Sequence, residues 1–122
     1  MLFMGLAGRV VGVNNQKGGV EVIAIKLLKR FKTSEWGIYF SLIKTRNCIY
    51  PAITHIGSLS TFGLVKPSCH SHILNFKGNL LNQDVELRLL VKLRDVKELP
   101  SFRYLAKEIK KEIKKAKIFF GL

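Results

Sequence analysis

The feature that most constrains this chain is a change of period near its end. From Arg9 to Leu93, apolar and β-branched residues come in short runs cut by turn signals. From Phe102 onward they recur every three to four residues. Alternation belongs to strands, and the longer spacing belongs to one face of a helix, so the chain reads as a β domain closed by a single helix.

The runs can be placed one by one. Arg9 to Val13 ends at Asn14-Asn15-Gln16-Lys17-Gly18-Gly19, where Asn and Gly supply the positive φ angles of a hairpin turn. Val20 to Phe31 opens as a β-branched strand, and its Lys26-Leu27-Leu28-Lys29-Arg30 tail has helical character. Trp36 to Ile43 and Cys48 to Ile56 pair across Thr45-Arg46-Asn47 as a hairpin. Ser71 to Phe76 precedes a tight turn at Lys77-Gly78-Asn79. In the last run, Val85, Leu87, Leu89, Val91 and Leu93 face one way and Glu86, Arg88 and Lys92 the other. Such a series followed by one helix implies a closed or nearly closed antiparallel barrel in one domain spanning residues 1–122.

Phe102, Leu105, Ile109, Ile113, Ala116 and Phe120 form the apolar face of a helix over 101–119, with Ser101 as its N-cap. The other face carries seven cations, Arg103, Lys107, Lys110, Lys111, Lys114, Lys115 and Lys117, against Glu108 and Glu112, a net of +5. Further cations cluster at Lys26, Lys29, Arg30 and Lys32, and at Lys44 and Arg46. Phe31, Trp36 and Tyr104 are interspersed and would stack on bases if exposed.

Charge is the strongest compositional signal. Twenty-one Lys and Arg against eight Asp and Glu leave +13 over 122 residues. A small metabolite does not call for such a field, whereas phosphates do, because neutralising them releases counterions. An anionic membrane would also serve, but would call for an apolar stripe opposite the lysines that is free to insert. Met1 to Ala7 is apolar but too short for a membrane anchor and lacks the basic start of a signal peptide. A cytoplasmic protein without membrane contact is expected. Cys48 and Cys69 are read as reduced, buried thiols.

From Trp36 onward the order of motifs resembles the riboflavin kinase domain of bacterial bifunctional riboflavin kinase/FAD synthetases. Gly37-Ile38-Tyr39 matches a Gly-[Val/Ile]-Tyr strand start, and Tyr50-Pro51-Ala52-Ile53, Ile56-Gly57 and Thr61-Phe62-Gly63 follow in the family's order. His72-Ile73-Leu74-Asn75-Phe76-Lys77-Gly78-Asn79-Leu80 is similar to His-[Leu/Ile]-Leu-Asp-Phe-x-Gly-Asp-Leu, and Leu93-Arg94, Leu99 and Ser101 lead into the closing helix. The resemblance implies a six-stranded Greek-key-like barrel with a C-terminal helix. The nucleotidyl-transferring domain that usually precedes it is absent from these residues.

Departures from the family pattern shape the functional expectation. The family's Gly-Phe-Pro-Thr-Ala-Asn stretch, whose Thr and Asn help hold Mg²⁺ and nucleotide phosphates, becomes Gly19-Val20-Glu21-Val22-Ile23-Ala24. Val22 and Ala24 stand where the two ligands belong, and a one-residue slip recovers neither. The glutamate of the Glu-x-His strand, the family's base, becomes His70, a residue still able to accept a proton. Asn-Ile-Gly becomes His55-Ile56-Gly57, and the proline before Thr61 becomes Ser60.

Three other chemistries find little support. Cys69, His70 and His72 make an incomplete set for a transition metal, and Lys17-Gly18-Gly19 lacks a P-loop's Gly-Lys-Ser/Thr core. Ser58, Ser60 and Thr61 belong to no Ser-His-carboxylate arrangement.

The expectation is therefore a non-catalytic riboflavin-kinase-like barrel, without cofactor or metal, binding rRNA beside neighbouring ribosomal proteins through the cations named above. The competing expectation is a riboflavin kinase using ATP and Mg²⁺ to make FMN, or a flavin-binding protein without turnover.

Overall fold

The computed structural model describes residues 5–15, 21–58, 67–96 and 102–122. Strand β1 spans Leu6–Asn15, β2 Glu21–Leu27, β3 Gly37–Lys44, β4 Ile49–Ser58, β5 Pro67–Ile73 and β6 Asp84–Arg94. Helix α1 spans Phe102–Phe120. The strands close into an antiparallel barrel in the order β1-β2-β5-β4-β3-β6. Closure leaves no sheet edge unpaired.

Alternation sorts each strand into an inner and an outer face. Val10, Ile23, Ile25, Tyr39, Ile43, Ala52, Ile56, Cys69, Ile73, Val85, Leu87 and Leu89 fill the interior. One polar chain crosses that interior, with the Thr54 hydroxyl 2.6 Å from that of Ser41 and 2.7 Å from that of Ser71. Ser41 also donates to the Ala52 carbonyl at 3.2 Å. All three side chains are buried, so their mutual bonds offset desolvation.

The outer face of β3, β4 and the end of β5 receives α1. Ala116, Ile113 and Phe120 pack on Ile38, Phe40, Ile53 and Leu74. The Phe40 ring lies 4.8 Å from that of Phe119 and 6.2 Å from that of Phe120. The helix is further tied down at Glu112, whose carboxylate accepts from the Arg94 guanidinium at 2.9 and 3.4 Å.

Two connections show why particular residues stand in them. A 3-10 turn at Thr33–Glu35 closes when Glu35 accepts the Lys32 backbone N–H at 2.9 Å. The Tyr39 hydroxyl then donates to the Glu35 carbonyl, fastening the turn to the barrel. Asn75 and Asn82 take positive φ at 52° and 65°, conformations that asparagine tolerates better than most residues. Gly57 has φ 138°, and a Cβ there would lie 3.2 Å from the Trp36 ring.

Several expectations need correction. The Lys26-Leu27-Leu28-Lys29-Arg30 tail is not helical, because β2 continues to Leu27 and the Leu28 N–H donates to Ala7. The strand expected over Ser71 to Phe76 instead runs Pro67–Ile73. Val91 is 45% exposed and Leu93 only half-buried, since the β3–β6 register slips between Phe40 and Ser41 and again between Ile38 and Tyr39. Each bulge turns the strand's alternation over. Cys48 is exposed in the β3–β4 turn, whereas Cys69 is buried. Glu112 belongs to the helix's buried side. Asn14 and Asn15 end β1, while 16–20 and the Ser101 cap lie outside the described residues. Among the described residues, no helix is long and apolar enough to cross a membrane.

Candidate functional site

The candidate positions meet on the outer face. Cα register runs from Gly12 to Ala24, from Ala24 to His70, from His70 to His55, and from His55 to Ile38 beside Arg94. This belt crosses all six strands and passes beside the seat of α1. Sequence separation hides it, because β2, β5 and β4 are neighbours only in the closed barrel.

His70 stands near the middle of the belt. Its Nδ1 lies 3.2 Å from the Ser68 hydroxyl, and that hydroxyl donates to the Gly57 carbonyl at 3.3 Å. A hydroxyl already donating accepts from the imidazole, which assigns the proton to Nδ1 and the lone pair to Nε2. Burial lowers the His70 pKa from its ordinary value, so the ring is neutral near pH 7. A neutral imidazole with a bare Nε2 is a proton acceptor.

His55 is its neighbour across β4 and β5. Burial, reinforced by His70 and Arg94, pushes its pKa down to about 4. Among the described residues its Nδ1 is buried without a hydrogen-bond partner, as is Nε1 of Trp36. His72, also on the outer face, donates from Nδ1 to the Glu21 carbonyl at 2.7 Å and so ties β5 to β2. Cys69 faces the interior, where burial pushes its thiol up to about 12, so the Cys69, His70 and His72 set is split across the sheet.

Val22 and Ala24, which the sequence resemblance sets opposite the family's metal and phosphate ligands, carry no side-chain oxygen. Val22 is buried at 8% exposure and Ala24 is half-buried. Mg²⁺ requires hard oxygen donors, so these two side chains do not fit it. Among the described residues, no group of three His, Cys, Asp or Glu side chains is placed to hold a metal.

The basic residues are spread over separate elements. Lys26 lies near the end of β2 and Lys29, Arg30 and Lys32 follow it, Lys44 and Arg46 border the β3–β4 turn, and the remainder line α1. Lys29 pairs with Glu35 at 3.1 Å and covers the Phe31 ring at 5.1 Å. Lys111 lies 3.9 Å from Glu108, and Lys107 lies 5.9 Å from the Tyr104 ring centre. Arg103, Lys107, Lys110, Lys111, Lys114, Lys115 and Lys117 are all exposed. Of the aromatics expected to stack on bases, Tyr104 is 53% exposed, while Phe31 and Trp36 pack against the interior cluster.

Sequence reasoning passed over Ser68 and the Arg94–Glu112 pair. Ser68 was within reach, since it lies two residues before His70 and must share its strand face. The ion pair joins a strand end to the middle of a helix, a meeting that no local pattern reports.

Comparison with known proteins agrees with this architecture. A crystal structure described as a macrolide-efflux protein from Streptococcus pneumoniae superposes with a TM-score of 0.71 at 22% identity, covering 88% of this chain and 36% of that one. At that identity the likeness is one of fold, and the chain spans little more than a third of that protein. No curated protein matches the chain. The family model for riboflavin kinase matches residues 6–120. That family uses ATP and Mg²⁺, which corrects the expectation of a domain working without cofactor. A match that runs through the whole barrel and its closing helix identifies this chain as a member of the riboflavin kinase family.

Proposed function

We propose that this domain recognises riboflavin and phosphorylates it from ATP slowly, with His70 accepting the proton of the attacking hydroxyl. The observation that carries the reading is the His70 imidazole itself. The sequence resemblance sets it at the family's base position, and it is neutral near pH 7 and keeps Nε2 as an acceptor through the Ser68 bond. A positioned base contributes roughly 10²–10⁴-fold to such a step.

The slowness follows from Val22 and Ala24. Phosphoryl transfer depends mainly on positioning and charge neutralisation, and neither side chain contributes to them. The test is incubation with riboflavin, ATP and Mg²⁺, with FMN measured by chromatography and riboflavin binding by flavin fluorescence. Slow FMN formation is expected, accelerated about tenfold or more in the V22T/A24N variant and lost in H70A. Absence of riboflavin binding would overturn the reading. So would turnover indifferent to both variants.

A further inference from the structure

We infer that the C-terminal end of α1 docks on an anionic phospholipid surface. The inference is independent of the flavin reading, since it uses residues outside the His70 belt.

The apolar face of α1 is spent on the barrel, yet the last turns carry apolar side chains that the barrel does not cover. Ile118 is 83% exposed, Phe119 47% and Leu122 56%. Ile118 lies on the last helical turn, and Leu122 follows Gly121, whose φ of 71° ends the helix in a left-handed turn that folds Leu122 N–H back onto the Lys117 carbonyl. The Phe119 ring rests on Phe40, whose register partner on β6 is Val91, itself 45% exposed. The bulge that turned Val91 outward has thus placed another apolar side chain beside the helix end.

Lys114, Lys115 and Lys117 are exposed on the same turns and have no carboxylate partner among the described residues. An apolar tip next to unpaired cations suits the boundary between phosphate headgroups and acyl chains, where both kinds of group are satisfied together.

Other occupants fit less well. A second copy of this chain would bring a second charge of +13 against the first. RNA phosphates would satisfy the lysines but leave Ile118 and Leu122 in water. Phe119 is also a poor platform for a base, because its ring is engaged by Phe40 and by Phe120 at 4.9 Å.

The test is flotation of the whole chain with phosphatidylcholine vesicles, with and without phosphatidylglycerol, alongside an RNA homopolymer competitor and sedimentation velocity. Binding is expected only to the anionic vesicles and should weaken with salt. The I118S/L122S variant should unfold at an unchanged temperature but partition about tenfold more weakly. The K114Q/K115Q/K117Q variant should partition about a hundredfold more weakly. Failure to bind anionic vesicles would overturn the inference, as would undiminished binding by I118S/L122S. Displacement from vesicles by RNA would identify a nucleic-acid surface instead. A dimer abolished by I118S/L122S would identify a self-association face.

Discussion

The inside and the outside of the barrel treat polar groups in opposite ways. Inside, Ser41, Thr54 and Ser71 satisfy one another at 2.6 and 2.7 Å within an apolar lining. Outside, the belt through His70 leaves Nδ1 of His55 buried without a partner among the described residues. Consistency among interior residues specifies the fold, and the outer face departs from it along the His70 belt.

Three measurements would break or sharpen that contrast. The largest effect should come from the interior, where Leu87 is wholly buried. L87A is expected to cost about 2–5 kcal/mol in chemical denaturation, and a smaller loss would mean that the barrel centre is loosely packed.

The outer belt should respond to acid. His55 has a folded pKa of about 4, below its ordinary value of 6.5, so the unfolded chain binds the proton more tightly. Stability contributed by the neutral ring is present above pH 6.5 and is lost as pH falls toward 4. About 2 kcal/mol should be gone by pH 5, seen as a falling denaturation midpoint. H55Q should flatten that slope, and an unchanged slope would place the acid sensitivity elsewhere.

The smallest effect belongs to the hydroxyl chain. T54V keeps volume while removing the central link, and Ser41 retains the Ala52 carbonyl. A loss of about 1 kcal/mol is expected in the same assay, and a much larger one would show a cooperative network.

The strands and the helix were legible because their signals are local. Turn residues bracket β3 and β4, and the spacing from Ile109 to Phe120 declares a helix face. Val91 and Leu93 were misread because a bulge shifts alternation without changing composition. Glu112 looked like a solvent residue until Arg94 was brought to it from another element. At the site, His70 was legible through its distance from His72, and Val22 and Ala24 through the motif they depart from. The belt that joins them was not, since it depends on β2 meeting β5 and β5 meeting β4.

The seam between the first and last strands has a consequence in time. β1 pairs with β6 through Leu6 and Leu87, Ala7 and Glu86, Gly8 and Val85, and Arg9 and Asp84. A chain emerging from its amino end must hold β1 with one side unsatisfied until β6 has been made. Such distant pairing is slow, because loop-closure entropy is lost before contacts repay it. The cylinder is thus sealed where its first and last strands meet, and the same last strand, at its other end, lends Leu93 to the seat of α1.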